Sequence, residues 1–103
     1  MALYDAEIAR NDASFGELMD WLKGRGLYDE TLIVLLSDHG EAFLEHGNWQ
    51  HGSTLHVEEI RVPLLVKAPA SLGVPGGRAI TALCEQVDVP ATVLDLVGAA
   101  PLS

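Results

Sequence analysis

Asp38 and His39 stand side by side at the end of the run Thr31-Leu-Ile-Val-Leu-Leu-Ser37, and Gly40 follows them. A carboxylate offers hard oxygens and an imidazole a ring nitrogen. Adjacent residues of these types can converge on one cation once the backbone leaves a strand, a departure that Gly40 eases. Ser-Asp-His-Gly is also ordinary turn composition, with Asp capping and Gly turning. The surroundings favour a site: His46, His51 and His56 come next, so all four histidines of the chain fall between positions 39 and 56.

The elements that must position these groups follow from apolar patterning. Residues 31–37 read as a strand buried on both faces, and open α/β sheets place ligands beyond the C-terminal ends of such strands. Before it, residues 3–23 form an amphipathic helix, with Leu3, Ile8, Phe15, Leu18, Met19 and Leu22 mostly on one side. Gly24-Arg25-Gly26 stops that helix, and residues 27–30 are a short connector, which makes helix and strand half of a parallel-sheet unit. Residues 41–56 form a loop longer than compact domains usually carry, a length that is commonly functional. Residues 57–61 suit a short helical turn, 62–67 a second strand with Pro63 at its start, and 68–78 a surface connection. A compact helix is expected over 88–98, with Asp88 at its N-cap, Pro90 in its first turn and Gly98 at its end.

Composition narrows the function classes. At 103 residues the chain is one domain at most, and 49% hydrophobic content fits a soluble globular α/β protein. A net charge of -9 with only six Lys and Arg argues against a nucleic-acid or anionic-membrane surface. No apolar run approaches the ~20 residues of a membrane span, and the first residues lack the basic and apolar regions of a signal peptide. The single Cys84 excludes an internal disulfide. With Glu85 beside it and no cationic neighbour in sequence, it reads as a buried, inert thiol.

Several blocks in order carry a family resemblance: Tyr4-Asp5-Ala-Glu-Ile, Asp12-x-x-Phe-Gly16, residues 31–41, Glu45-His46-Gly47-x-Trp49-x-His51, Glu59-Ile-Arg61-Val-Pro63-Leu-Leu-Val, and residues 88–98. Together they resemble the C-terminal half of the sulfatase catalytic domain, in the alkaline phosphatase superfamily. The resemblance implies an α/β fold in which residues 1–103 are a fragment of a mostly parallel sheet flanked by helices. It implies that Asp38 and His39 are two ligands of a divalent metal. Ca²⁺ leads, with Mn²⁺, Zn²⁺ and Mg²⁺ open, since each imidazole raises the standing of the softer ions. It puts His51 where the family has Lys or His against the ester oxygens, makes His46 a supporting residue of the loop, and leaves His56 structural. The family's N-terminal acidic ligands and its Cys-x-Pro-x-Arg or Ser-x-Pro-x-Arg nucleophile segment are not matched. Cys84 cannot stand in, because neither Pro nor Arg follows it at that spacing.

The resulting expectation is part of a metal-dependent sulfuric ester hydrolase acting on a sulfate-ester small molecule or glycan. Two alternatives stay open: a phosphoryl or phosphonate ester hydrolase or phospho-group transferase of the same superfamily, and a non-catalytic metal-binding or interaction module. Made alone, the chain is expected to be catalytically silent and to form a homo-oligomer, because its apolar strands lack the neighbours that a larger sheet would supply.

Overall fold

The structure, a computed structural model, describes residues 2–100. Helix α1 spans Ala2–Gly24, and strand β1 spans Ile33–Leu36. A small hairpin follows, made of β2 (Ala42–Phe43) and β3 (Trp49–Gln50). Then come the single-turn helix α2 (Val57–Ile60), strand β4 (Leu64–Lys67), a 3₁₀ turn over Ala70–Leu72, and helix α3 (Asp88–Leu96).

Both long helices end as their glycines foretell. Beyond α1, Gly26 (φ 66°) donates to the Lys23 carbonyl at 3.0 Å and Leu27 to that of Leu22 at 2.9 Å. Beyond α3, Gly98 (φ 68°) donates to Asp95 at 3.1 Å and Ala99 to Leu94 at 2.9 Å. Each pair is the crossed hydrogen-bond pattern that closes a helix on a left-handed residue. The start of α3 differs from expectation. The helix begins at Asp88 itself, and Val87 holds the cap position without a side-chain bond. Asp88 instead reaches back, its Oδ2 accepting the Glu85 amide at 3.2 Å.

The two apolar strands pair antiparallel, with Ile33 opposite Lys67 and Leu36 opposite Leu64, and the β2–β3 pair is antiparallel as well. This departs from the mostly parallel arrangement expected. A parallel return needs a crossover that carries the chain back along the strand's length, usually a helix. Here α2, a single turn about 6 Å long, is the only helix between β1 and β4, so the chain re-enters at the end where it left. An apolar run encodes burial, not direction.

Lysine 67 ties the strand pair to the helix connector. Its ammonium donates to the carbonyls of Tyr28, Asp29 (2.8 Å) and Thr31 (3.1 Å) and lies 4.6 Å from the centre of the Tyr28 ring. Helix α3 and the segment before it approach one face of the β1–β4 pair, leaving a 260 Å³ apolar groove between Val34, Leu64 and Val66 on one side and Leu83, Val89 and Val93 on the other. Cys84 borders that groove and is exposed, not buried as expected, because no element covers the irregular stretch that carries it. Among the described residues only Leu22, Ala42 and Glu59 are buried, while Leu3 is 85% and Leu65 56% exposed. No described helix is long and apolar enough to cross a membrane.

Candidate functional site

Where β1 ends, short-range hydrogen bonds replace the ladder. The Ser37 hydroxyl donates to the His39 carbonyl at 2.7 Å, and the His39 amide donates to Asp38 Oδ1 at 3.0 Å. From the far side of the sequence, Gln86 Nε2 donates to the carbonyls of Ser37 (2.7 Å) and Asp38 (3.0 Å). The Gly40 amide donates to the Glu59 carbonyl at 2.7 Å. At Gly40 a methyl would overlap the Glu58 carbonyl oxygen and sit 2.9 Å from its carbon, so close approach requires glycine there.

The tautomer of His39 follows from its partner. Nδ1 lies 2.8 Å from the Gly40 carbonyl oxygen, which can only accept, so Nδ1 carries a proton and Nε2 is the ring nitrogen left for another partner. That Nε2 faces Asp38 Oδ2 at 3.7 Å, on a carboxylate whose side chain is 86% exposed. Donors at about 2.0–2.6 Å from one ion can be this far apart, so the two groups fit a divalent cation held by one oxygen and one nitrogen. Among the described residues no group of three or more His, Cys, Asp or Glu gathers around a common cation position.

The four histidines form two stacked pairs with defined orientations. His51 lies on His39 with ring centres 3.7 Å apart and planes at 29°, and its Nδ1 is 3.3 Å from both carboxylate oxygens of Glu41. His46 lies on His56 at 3.9 Å and 8°, with Nδ1 2.6 Å from Glu58 Oε1. In both cases a carboxylate is the Nδ1 partner and accepts its hydrogen bond. The structure therefore gathers Asp38, His39 and His51, and sets His46 beside His56. The Glu58 carboxyl is held below its ordinary value of 4.5 by the hydrogen bond from His46.

Backbone conformation around His51 is unusual. Gln50 (φ 73°) precedes it and Gly52 (φ 83°) follows it, both left-handed, and a non-glycine residue there costs about 1–3 kcal/mol that its surroundings must offset. Beyond His51 the turn is held by Glu59, whose residue is only 4% exposed. Its carboxylate accepts the Gly52 amide at 2.9 Å, the Thr54 amide at 3.4 Å and the Thr54 hydroxyl. The Thr54 hydroxyl foremost, then these amides, hold the Glu59 carboxyl below 4.5 against the opposing effect of burial.

Sequence reasoning missed Glu41, Glu58, Glu59 and Gln86. The one available signal was the pair of acids immediately after the four histidines, in a chain where three of the histidines now have an oxygen partner at Nδ1.

A sequence model of the sulfatase family matches residues 1–99. The chain belongs to the sulfatase family. It is 32% identical over 97 residues to arylsulfatase K of Bos taurus, covering 94% of this chain and 17% of that protein. Against arylsulfatase K of Danio rerio identity is 35% over 97 residues, covering 94% of this chain and 18% of the relative. It is also 36% identical over 98 residues to the low-salt glycan biosynthesis sulfotransferase Agl7 of Haloferax volcanii, covering 91% of this chain and 23% of that protein. The chain thus spans less than a fifth of the length of the arylsulfatase K relatives. No solved structure matches it. Membership supports an alkaline-phosphatase-like α/β class and a hydrolase parent, and sulfatases generally use a divalent metal.

Proposed function

We propose that this chain is part of a metal-dependent sulfuric ester hydrolase whose catalytic unit is larger than the segment described. In this reading residues 1–103 are a partial catalytic domain, and the nucleophile lies outside them. Asp38 and His39 hold the divalent cation, Ca²⁺ first and Mn²⁺, Zn²⁺ or Mg²⁺ after it. When bound, the cation supplies Lewis-acid neutralisation of the anionic ester oxygens.

The observation that carries the reading is the protonated Nδ1 of His39 turned into the Gly40 carbonyl, which leaves Nε2 and Asp38 Oδ2 facing one another with His51 stacked alongside. His51 is the group that meets the ester. Glu41 holds its Nδ1–H, so Nε2 is the atom that can carry a proton to the departing alkoxide or phenoxide oxygen of a sulfate-ester small molecule or glycan. His46, held by Glu58, orients the loop that carries it. The likeness to Agl7, named a sulfotransferase, favours one variant, in which the same groups serve transfer of the sulfuryl group to an acceptor other than water.

The deciding experiment is Asp38→Ala in the parent enzyme, with metal content and aryl-sulfate turnover measured on the same sample. Loss of both is expected. Full metal content with unchanged turnover overturns the assignment. For the 103-residue chain made alone, no turnover is expected. Its exposed strands Ile33–Leu36 and Leu64–Lys67 favour self-association, which light scattering on a sizing column reads directly, and a stable monomer at micromolar concentration contradicts it.

A further inference from the structure

We infer that Glu59 is a positioning residue that holds His51 against His39, a role that rests on the catalytic reading of His51 given above. Glu59 works from both ends of its own residue. Its carbonyl oxygen accepts the Gly40 amide at 2.7 Å, fixing the turn that carries Asp38 and His39. Its carboxylate accepts the Gly52 amide at 2.9 Å and both donors of Thr54, fixing the turn that carries His51. One residue in α2 therefore joins two loops that also meet through imidazole stacking, with ring centres 3.7 Å apart, the Glu41–His51 hydrogen bond and the β2–β3 pair.

The chemistry of the group suits the task. A carboxylate is acceptor-only when ionised, and this one faces donors alone: two amides and a hydroxyl. It is the one buried acidic or basic residue among those described, and a buried carboxylate is retained only where such donors replace its lost water. Because Gln50 and Gly52 flank His51 in left-handed conformations, the backbone there does not settle into this shape by itself, and Glu59 selects it. An apolar residue of similar length accepts from none of the three, whereas a glutamine can still accept both amides through its oxygen and donate to the Thr54 hydroxyl.

The test uses the 103-residue chain in the absence of metal and substrate, with ring-to-ring nuclear Overhauser contacts between His39 and His51 as the readout and Val34–Val66 contacts as the control for the strand pair. Glu59→Leu is expected to lose the His39–His51 contacts and keep the strand contacts, and Glu59→Gln, which can still meet all three groups, to retain both. Thr54→Val, which removes a single donor, is expected to weaken the ring contacts, and Thr54→Ser, which keeps the hydroxyl, to retain them. Ring contacts that persist in both Glu59→Leu and Thr54→Val overturn the inference. So does joint loss of ring and strand contacts in both variants, since Glu59 would then be a general structural residue. The readout involves no turnover, so a failed catalytic role for His51 leaves it unchanged, and a failed positioning role leaves that catalytic role standing.

Discussion

Residues 37–60 and the apolar surfaces around them are built to different standards. Within the polar segment nearly every chemically interesting side chain has a partner: His39 a carbonyl, His46 and His51 a carboxylate each, Glu59 three donors. The apolar side of α1 has few partners. Leu22 is buried, while Ile8, Leu18 and Trp21 are about half exposed, and β4 shows Leu65 and Val66 to solvent. Hydrogen bonds close over a few residues of chain, so a loop can satisfy them from its own sequence. Apolar faces need a second layer, and its residues need not be near in sequence. Gln86 apart, the polar site is thus encoded within residues 37–60, whereas the stability of its platform depends on what covers the sheet.

If that contrast is right, the largest loss comes from breaking the loop's backbone contact. Gly40→Ala forces a methyl onto the Glu58 carbonyl, and a cost of about 3 kcal/mol or more is expected from overpacking without room to relax, read as a fall in the urea midpoint. Next is Lys67→Met, which keeps the stem but removes the donor to three connector carbonyls. A loss of ~2 kcal/mol is expected for a charged donor, measured by the same titration.

The legible and illegible features divide along the same line. Helix α1, the apolar strand β1, the glycine-closed end of α3 and the Asp38-His39-Gly40 turn were all readable, because each is written in a short window as period, cap or motif. The direction of β4 was not, since Leu64-Leu-Val66 looks the same for either polarity. Nor was the exposure of Cys84, because sequence neighbours report acidity but not cover. Glu59 and Gln86 were missed for a third reason. An acid beside Glu58 and an amide beside Glu85 look like surface residues until the fold brings donors and carbonyls to them.

Acid offers a gentler way to separate the two regions. Both Glu58 and Glu59 have carboxyls lowered from 4.5 in the folded chain, so their stabilising contribution is fully present above about 4.5 and is lost as the pH falls through the lower folded values. Amide-exchange protection at Gly52 and Thr54 should fall below that pH before protection in β1 and β4 does. Simultaneous loss would mean that the loop and sheet are one cooperative unit. The smallest effect belongs to the uncovered face. Leu65→Lys should change stability by under ~0.5 kcal/mol, as surface substitutions do, while shifting the light-scattering mass toward the monomer. A large destabilisation there would show the face is already packed.

Gln86 reaches back 49 positions to the Ser37 carbonyl and 48 to that of Asp38. Contacts so distant along the chain close late, because the loop's entropy must be surrendered before they form. During synthesis at about 5–20 residues per second, roughly 2–10 s separate the appearance of Ser37 from that of Gln86. Throughout that interval the nascent chain carries its carboxylate and imidazole on an unlatched strand end, and the order of translation decides when the Asp38–His39 turn acquires its final shape.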